Sequence, residues 1–247
     1  MWDNADAPTI CLAIPGPWDS REQIQRRLVR ESARHFAMLG SSIVRTKDLA
    51  EFPFDVVEHD PLLAGAMRAG SRGRIAGEDV DRIARHRCTV YVRGEGGSTD
   101  AARAMADVAS ALLRAGGLGV LIESSGSAVA RDDWFKYADP AHPAGLYWAY
   151  VALVAGRERG HYSCGMHTFG LRDAVTDILY DPEPLAALVH NFLGLTFATR
   201  PPIQDGDEFA DDESGIAYRV RGEPCSTYPP THMQHNPYGM WRIELVE

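Results

Sequence analysis

Lysine and cysteine are scarce in this sequence, and long apolar runs are absent. Lys47 and Lys136 are the only lysines, so arginine supplies nearly all of the positive charge. No stretch approaches the roughly 18 consecutive apolar residues that a membrane-spanning helix needs. Residues 1–6 also lack the basic segment and apolar run of a secretory signal. We therefore expect a cytoplasmic protein with no membrane partner.

The four cysteines are widely spaced and form no C-x-x-C pair. Cys11 and Cys88 lie in apolar runs, where a thiol behaves as a small hydrophobic group. A chain of this size is not a typical disulfide framework, and four-cysteine zinc sites usually take their ligands from closely spaced pairs. The spacing therefore predicts free thiols and gives no reason to expect a metal or a cofactor.

Negative charge predominates, with a formal net charge of −9, and it is unevenly distributed. Residues 205–213 contain six carboxylates and no basic residue, whereas the arginines concentrate in residues 21–34 and 68–87. Nucleic acid needs a cationic face, so it is not expected as a partner, but the charge can steer a basic protein toward the chain. The alternative is a solvated surface with no partner. The candidate partner-binding residues are Asp205, Asp207, Glu208, Asp211, Asp212 and Glu213.

Two stretches of the sequence each predict a strand, a helix and a second strand. In the first, residues 9–14 form an apolar strand, and Ser20 with Gln23 makes a capping box at the start of a helix that runs to about Arg34. Residues 36–44 form the returning strand. This stretch is one β-α-β unit.

The second β-α-β unit begins with residues 88–93, which alternate between apolar and polar as a strand does. A glycine turn at residues 94–97 leads to Ser98, a favourable N-cap for an amphipathic helix. Glycines at residues 116–117 end that helix, and residues 118–123 form the next strand.

The remaining sequence predicts further elements. Residues 146–154 are apolar throughout, as in a central strand that is covered on both faces. Residues 171–195 are mostly helical around an Asp-Pro-Glu-Pro interruption, and residues 200–214 are acidic and loop-like. Shorter strands or helices are predicted at residues 52–57, 61–67, 78–86, 132–138, 161–166, 216–220 and 241–246.

These elements predict an α+β (mixed α/β) fold. Hydrophobic residues make up 45% of the chain, enough for a sizeable core, and no linker divides its 247 residues. We expect a single domain over residues 1–247, with a central mixed sheet built from the two β-α-β units. The units fit the two halves of a ferredoxin-like arrangement.

Two glutamates and a glycine turn are candidates for chemistry or for ligand binding. The turn at residues 94–97 could hold an anion on its backbone amides, although Glu95 would repel a phosphate. If the strands that precede Glu95 and Glu123 are adjacent, the two carboxylates meet at one sheet edge, where they could perform acid–base work or bind a divalent metal. The alternative is a tight turn without a ligand.

The segment around Cys164 contains the most reactive side chains. Cys164 and His167 could act as nucleophile and base, or His161 and His167 could share a metal with a carboxylate. Against this, Cys164 and His167 would point to opposite faces of a strand. His232 and His235 have plausible metal-ligand spacing but lie in a single loop. The alternative is a structural cysteine with hydrogen-bonded histidines.

Four motifs together resemble a family of bacterial domains of unknown function. They are V-R-G-E-G-G-S at residues 92–98, L-I-E-S-S-G at 121–126, Y-S-C-G-M-H-x-F-G at 162–170 and N-P-Y-G-M-W at 236–241. The resemblance implies a bacterial source and assigns no catalytic residue. Small acidic bacterial proteins of this kind are often immunity proteins that neutralise a cognate toxin, which makes a basic toxin a candidate partner.

The sequence therefore supports two functions from different classes. The first is a non-enzymatic cytoplasmic protein-binding domain of the immunity type, since no catalytic signature is present. The second is a metal-assisted or thiol-dependent hydrolase that uses Glu95, Glu123, Cys164 and His167, provided that these side chains converge. A small-ligand sensor built on the glycine turn is a third hypothesis. The sequence gives no prediction of the oligomeric state.

Overall fold

The computed structural model describes residues 8–142, 144–156, 160–177, 182–210 and 215–246. The helices in these ranges are α1 (Arg21–Glu31), α2 (Leu63–Ser71), α3 (Gly77–Ile83), α4 (Thr99–Arg114), α5 (Arg131–Tyr137), α6 (Gly145–Tyr150) and α7 (Pro182–Thr199). The strands are β1 (Thr9–Gly16), β2 (Phe36–Leu39), β3 (Ser42–Arg45), β4 (Ala50–Glu58), β5 (Cys88–Glu95), β6 (Gly119–Ile122), β7 (Ser127–Ala130), β8 (Ala152–Gly156), β9 (Gly160–Cys164), β10 (Asp173–Thr176), β11 (Glu208–Ala210), β12 (Ala217–Glu223) and β13 (Met240–Leu245). The α+β class is confirmed.

The first sheet has seven strands in the order β2-β3-β4-β5-β1-β6-β7, and each neighbouring pair is antiparallel. Strands β5 and β6 run parallel to each other, but β1 lies between them. The strands β4, β5, β1 and β6, together with α1 and α4, have the order of a ferredoxin-like β-α-β-β-α-β unit. The hairpin β2–β3 extends this unit at one edge.

The second sheet has six strands in the order β11-β12-β13-β10-β9-β8, and β10 and β13 form its one parallel pair among the described residues. The sequence predicted one central sheet, whereas the described residues form two. One continuous hydrophobic core includes residues of both sheets, from Ile10 and Leu12 to Val220 and Ile243. The single-domain interpretation stays a prediction that this shared core supports. Helices α2 and α3 cover part of the opposite face of the first sheet around a smaller cluster.

Both predicted helix starts are confirmed by their capping bonds. The Ser20 hydroxyl accepts the amide of Gln23 at 3.3 Å, and the Ser98 hydroxyl accepts the amide of Ala101 at 3.1 Å. Each serine has an extended backbone and satisfies one of the amides that a helix start leaves free. The capping residues therefore fix where α1 and α4 begin.

Four predicted elements differ from the structure. The strand expected at residues 36–44 is the hairpin β2–β3, which turns at Gly40, where φ is +54°. The strand expected at residues 146–154 is helix α6 followed by β8, since an apolar run without a period fits either element. Part of the helix expected at residues 171–195 is strand β10, and β11 lies within the predicted loop.

All four cysteines are free, as the sequence predicts. Within the described residues, no helix combines the length and the apolar character that crossing a membrane requires.

Candidate functional site

The conspicuous motif segments meet at the junction between the two sheets. The Gly97 amide donates to the Thr168 carbonyl at 2.9 Å, which joins the glycine turn after β5 to the 3-10 turn Met166–Phe169. The Cys164 sulfur lies 3.8 Å from the Ser124 carbonyl oxygen and 3.6 Å from that of Gln234. The ends of β5, β6 and β9 and the C-terminal loop therefore converge in space.

The glycines of the third motif permit this close approach. Gly165 has a φ of +127°, and a Cβ there would collide with the Tyr150 carbonyl oxygen. Gly170 has a φ of +75°, and a Cβ there would collide with the carbonyl oxygen of Gly97. L-residues with side chains rarely adopt such conformations, so both positions favour glycine for structural reasons.

Asp173 is the centre of a buried polar cluster at this junction. Its Oδ1 accepts the Ser163 hydroxyl at 2.7 Å and the Met166 amide at 3.2 Å, and its Oδ2 accepts the Asn236 side-chain amide at 2.6 Å. The His167 Nδ1 lies 3.8 Å from the same Oδ2. Burial raises the pKa of Asp173, but His167, Asn236 and Ser163 outweigh that effect and hold the pKa below its usual value. The Asp173 carboxylate is therefore in its charged form, and its hydrogen bonds hold the junction together.

Cys164 and His167 are not arranged as a nucleophile and its general base. Both are buried, and no hydrogen bond joins them. Burial raises the pKa of the Cys164 thiol well above its usual value, and the charge of Asp173 raises it further. Because the thiolate is the nucleophilic form, this environment works against thiol chemistry.

Glu95 and Glu123 are carried by strands that are not adjacent. Glu95 is opposite Thr9 in β1, and the Glu123 amide donates to the Cys11 carbonyl on the other side of β1 at 2.9 Å. Two strand spacings and a two-residue offset separate their α-carbons by about 12 Å. Burial raises the pKa of Glu123, and Asp60 raises it further. The adjacency on which the paired-carboxylate hypothesis depended is therefore absent.

The glycine turn uses its amides within the protein. The Gly96 amide donates to the Pro8 carbonyl at 2.7 Å, and the Gly97 amide is bonded to the 3-10 turn. The Ala101 amide, at the start of α4, is taken by Ser98. An anion would have to displace these hydrogen bonds, so the turn is poorly suited to bind one.

The histidines form no group of metal ligands. His232 stacks on Tyr228 with ring centroids 4.9 Å apart, and the His235 Nδ1 bonds the Tyr228 carbonyl at 2.9 Å. Across the part of the chain that the structure describes, no cluster of three or more histidine, cysteine, aspartate or glutamate side chains could hold a metal ion.

An apolar groove lies between α7 and β11, and we call it the α7 groove. It has a volume of about 600 Å³. Its apolar lining includes Leu188, Phe192, Leu195, Ile203, Phe209 and Val220. Phe192 stacks on Phe209 with ring centroids 5.1 Å apart, and Leu195 is 59% exposed. Leu188, Phe192 and Val220 are buried, so the apolar surface that the groove presents to solvent comes from Leu195 and, in part, from Ile203 and Phe209.

Carboxylates of the predicted acidic segment form the rim of the α7 groove. Asp207 and Glu208 line it directly. Glu208 is paired with Arg219 at 2.5 Å, and Asp205 lies 3.8 Å from Arg221. Asp207 accepts a nearby backbone amide at 2.8 Å. The other acidic candidates lie outside the described residues; these are Asp211, Asp212 and Glu213.

Comparisons with protein-family models, curated proteins and solved structures found no match. The bacterial resemblance of the motifs stays a prediction. Functional inference therefore rests on the geometry of this chain.

The sequence predicted an acidic segment at residues 205–213 but not the apolar floor beside it. Helix α7 is apolar on nearly every side, which is typical of a helix that is buried all round. The structure covers one side with β8, β9 and β10 and leaves Leu195 exposed. An apolar helix next to an acidic segment was the available signal, but the position of β11 across from it could not be deduced.

Proposed function

We propose that this chain is a non-enzymatic protein-binding domain that receives a basic, amphipathic segment of a partner in the α7 groove. The observation that carries the proposal is an exposed apolar floor bordered by carboxylates. Leu195 and Phe209 offer apolar contact, and Asp207 and Glu208 lie on the same rim. Interfaces combine an apolar centre with a polar border in this way.

The charge of the groove favours a basic partner. The segment around β11 contains six carboxylates, and the whole chain has a net charge of −9. Glu208 and Arg219 are both partly exposed, and exposed ion pairs contribute only about 0–1 kcal/mol. A lysine or arginine of the partner can therefore replace Arg219 at little cost, and the overall charge steers its approach.

The shape of the groove favours a short helix as the bound segment. From Leu188 to Leu195, α7 rises by about 10 Å, which is about two helical turns. Helices bind in grooves through apolar residues spaced three or four apart. An amphipathic helix with lysine or arginine beside its apolar stripe matches both the floor and the rim.

The partner that best fits the sequence resemblance is a basic toxin, which this chain would neutralise as an immunity protein. A cytoplasmic location belongs to the same proposal, and the four free cysteines support it because disulfides are rare in that compartment. The buried thiol of Cys164 and the separated glutamates offer no comparable support for a hydrolase.

Leu195→Glu tests the groove, because it places a charge on the apolar floor at an exposed position. A basic partner copurifies with the tagged wild type in this proposal. We expect the tagged variant to recover that partner in an amount lower by roughly tenfold or more. Leu62→Glu is the matched control, since Leu62 is exposed immediately before α2 and lies outside the groove. Copurification of neighbouring gene products and survival on toxin challenge are the measurements. Equal recovery by both variants, or no partner together with unchanged survival, would defeat the proposal.

A further inference from the structure

A second cleft opens in the first sheet where β4 changes partners. Strand β4 pairs with β3 from Ala50 to Pro53 and with β5 from Phe54 to Glu58. Proline has no amide to donate to a neighbouring strand, so Pro53 is a natural point for the β4–β5 pairing to end. The two strands then diverge around a cleft of about 450 Å³, which we call the β5 cleft.

The β5 cleft leaves a short strand edge without a partner. The register between β4 and β5 ends with Phe54 opposite Val92. The Gly96 amide donates to Pro8 beside β1, and backbone groups alternate in direction along a strand, so those of Gly94 also face β1. The amide and carbonyl of Glu95 face the cleft, as does the carbonyl of Arg93 beside Pro53, and in the described chain no strand pairs with them there. A free strand edge is the element to which an extended peptide adds.

The floor of the β5 cleft is apolar. Phe52 of β4 and Met105 of α4 line it, together with the small side chains of Ala101 and Ala104. Small residues at these two positions leave space between α4 and the diverging strands. Alternate side chains of an added strand would point toward this floor.

The charges around the β5 cleft leave two carboxylates without partners. Arg45 is bonded to Asp48 at 2.7 Å, and Arg93 is bonded to Asp55 at 2.6 Å. A further carboxylate, that of Asp107, lies 3.8 Å from Arg45. By contrast, the exposed Glu51 and Glu95 line the cleft and have no ion pair with any described residue. The arginines are neutralised, and the cleft has an excess of negative charge.

We propose that the β5 cleft binds an extended, basic peptide segment of another protein. The peptide pairs with the free edge at the Arg93 carbonyl and Glu95 and places a lysine or arginine beside Glu51 and Glu95. Its alternate apolar side chains occupy the floor at Phe52 and Met105. This site uses no residue of the α7 groove, so it does not depend on the function proposed above.

The test is a selection of random heptapeptides displayed on phage against the wild type and the double variant Glu51→Gln/Glu95→Gln. We expect peptides with basic residues at alternate positions to be enriched by the wild type only. A synthetic enriched peptide then gives a dissociation constant by fluorescence anisotropy. We expect the double variant to bind it roughly tenfold more weakly, because two charge-assisted contacts are lost.

Two controls locate the effect in the cleft. Glu58→Gln removes the same charge from an exposed residue at the other end of β4, and we expect it to bind like the wild type. Ala104→Phe fills the floor without a change of charge, and we expect it to block binding while the thermal unfolding midpoint stays close to that of the wild type. We expect Leu195→Glu to bind the peptide like the wild type, because Leu195 lines the α7 groove and not the β5 cleft.

Three results would overturn the proposal. One is a selection without basic enrichment, and another is an equal loss of affinity in Glu58→Gln and in the double variant. The third is equal competition by free arginine or by an N-methylated copy of the peptide, since neither can pair with the strand edge of Arg93 and Glu95.

Discussion

Asp173 joins β9, β10 and the C-terminal loop through one buried carboxylate. We expect Asp173→Asn to lower the free energy of unfolding at pH 7 by about 3 kcal/mol, because it removes the charge and turns an NH2 group toward donors that now bond the carboxylate, those of Ser163, Met166 and Asn236. Urea unfolding measures the loss. Asp81→Asn, at an exposed residue of α3, is the control and should change stability by less than about 0.5 kcal/mol.

The same carboxylate makes stability depend on pH. Its pKa is lower in the folded chain than the value of about 3.9 in the unfolded chain. Its contribution is therefore complete above the unfolded pKa and is lost as the pH falls through the folded pKa. As the pH falls from 5 toward the folded pKa of Asp173, the free energy of unfolding should decrease more for the wild type than for Asp173→Asn. Parallel pH profiles for the two proteins would contradict this assignment.

The cysteines differ in exposure, and this difference predicts their reactivity. Cys11, Cys88 and Cys164 are buried, and burial raises the pKa of each thiol, that of Cys11 to about 11. Cys225 is only half-buried. A disulfide reagent should label one thiol of the native protein, and Cys225→Ser should abolish that labelling. Fast labelling of Cys164 in Cys225→Ser would instead favour the thiol-dependent alternative.

At the scale of elements, α4 is defined by its cap and by its apolar face. Ser98→Ala removes the bond to the Ala101 amide, and we expect a loss of about 1 kcal/mol. For a chain of this size, the thermal unfolding midpoint should fall by about 2–4 °C. Ser98→Asp keeps an acceptor at this position and should retain most of the stability. A similar loss in both variants would mean that the hydroxyl does not stabilise the helix through this bond.

The elements that the sequence predicted well have local signals. The starts of α1 and α4 follow from Ser20 and Ser98, and strands β1 and β5 follow from short apolar runs that are bounded by glycine or proline. Helix α6 was predicted as a strand because its apolar residues show no period. Tyr147 and Tyr150 are both buried in the core, so the burial of aromatic rings from several sides conceals the helical pattern.

At the scale of the whole molecule, the two proposed binding sites lie in different sheets. The α7 groove depends on the second sheet, where β11 is the edge strand, and the β5 cleft depends on the divergence of β4 from β5 in the first. The acidic charge favours basic partners at both. Of the residues predicted for chemistry, Glu95 lines a cleft, whereas Glu123, Cys164 and His167 are partly or fully buried.

The order of amino acids alone determines the α+β class, the second β-α-β unit, the capped helix starts and the acidic segment, because each depends on neighbours in the chain. Folding decides which distant segments meet. Only the tertiary structure inserts β1 between the strands of Glu95 and Glu123, and only it places β11 opposite α7. Strand pairing and burial join residues that are far apart in sequence, and no local pattern specifies those partners.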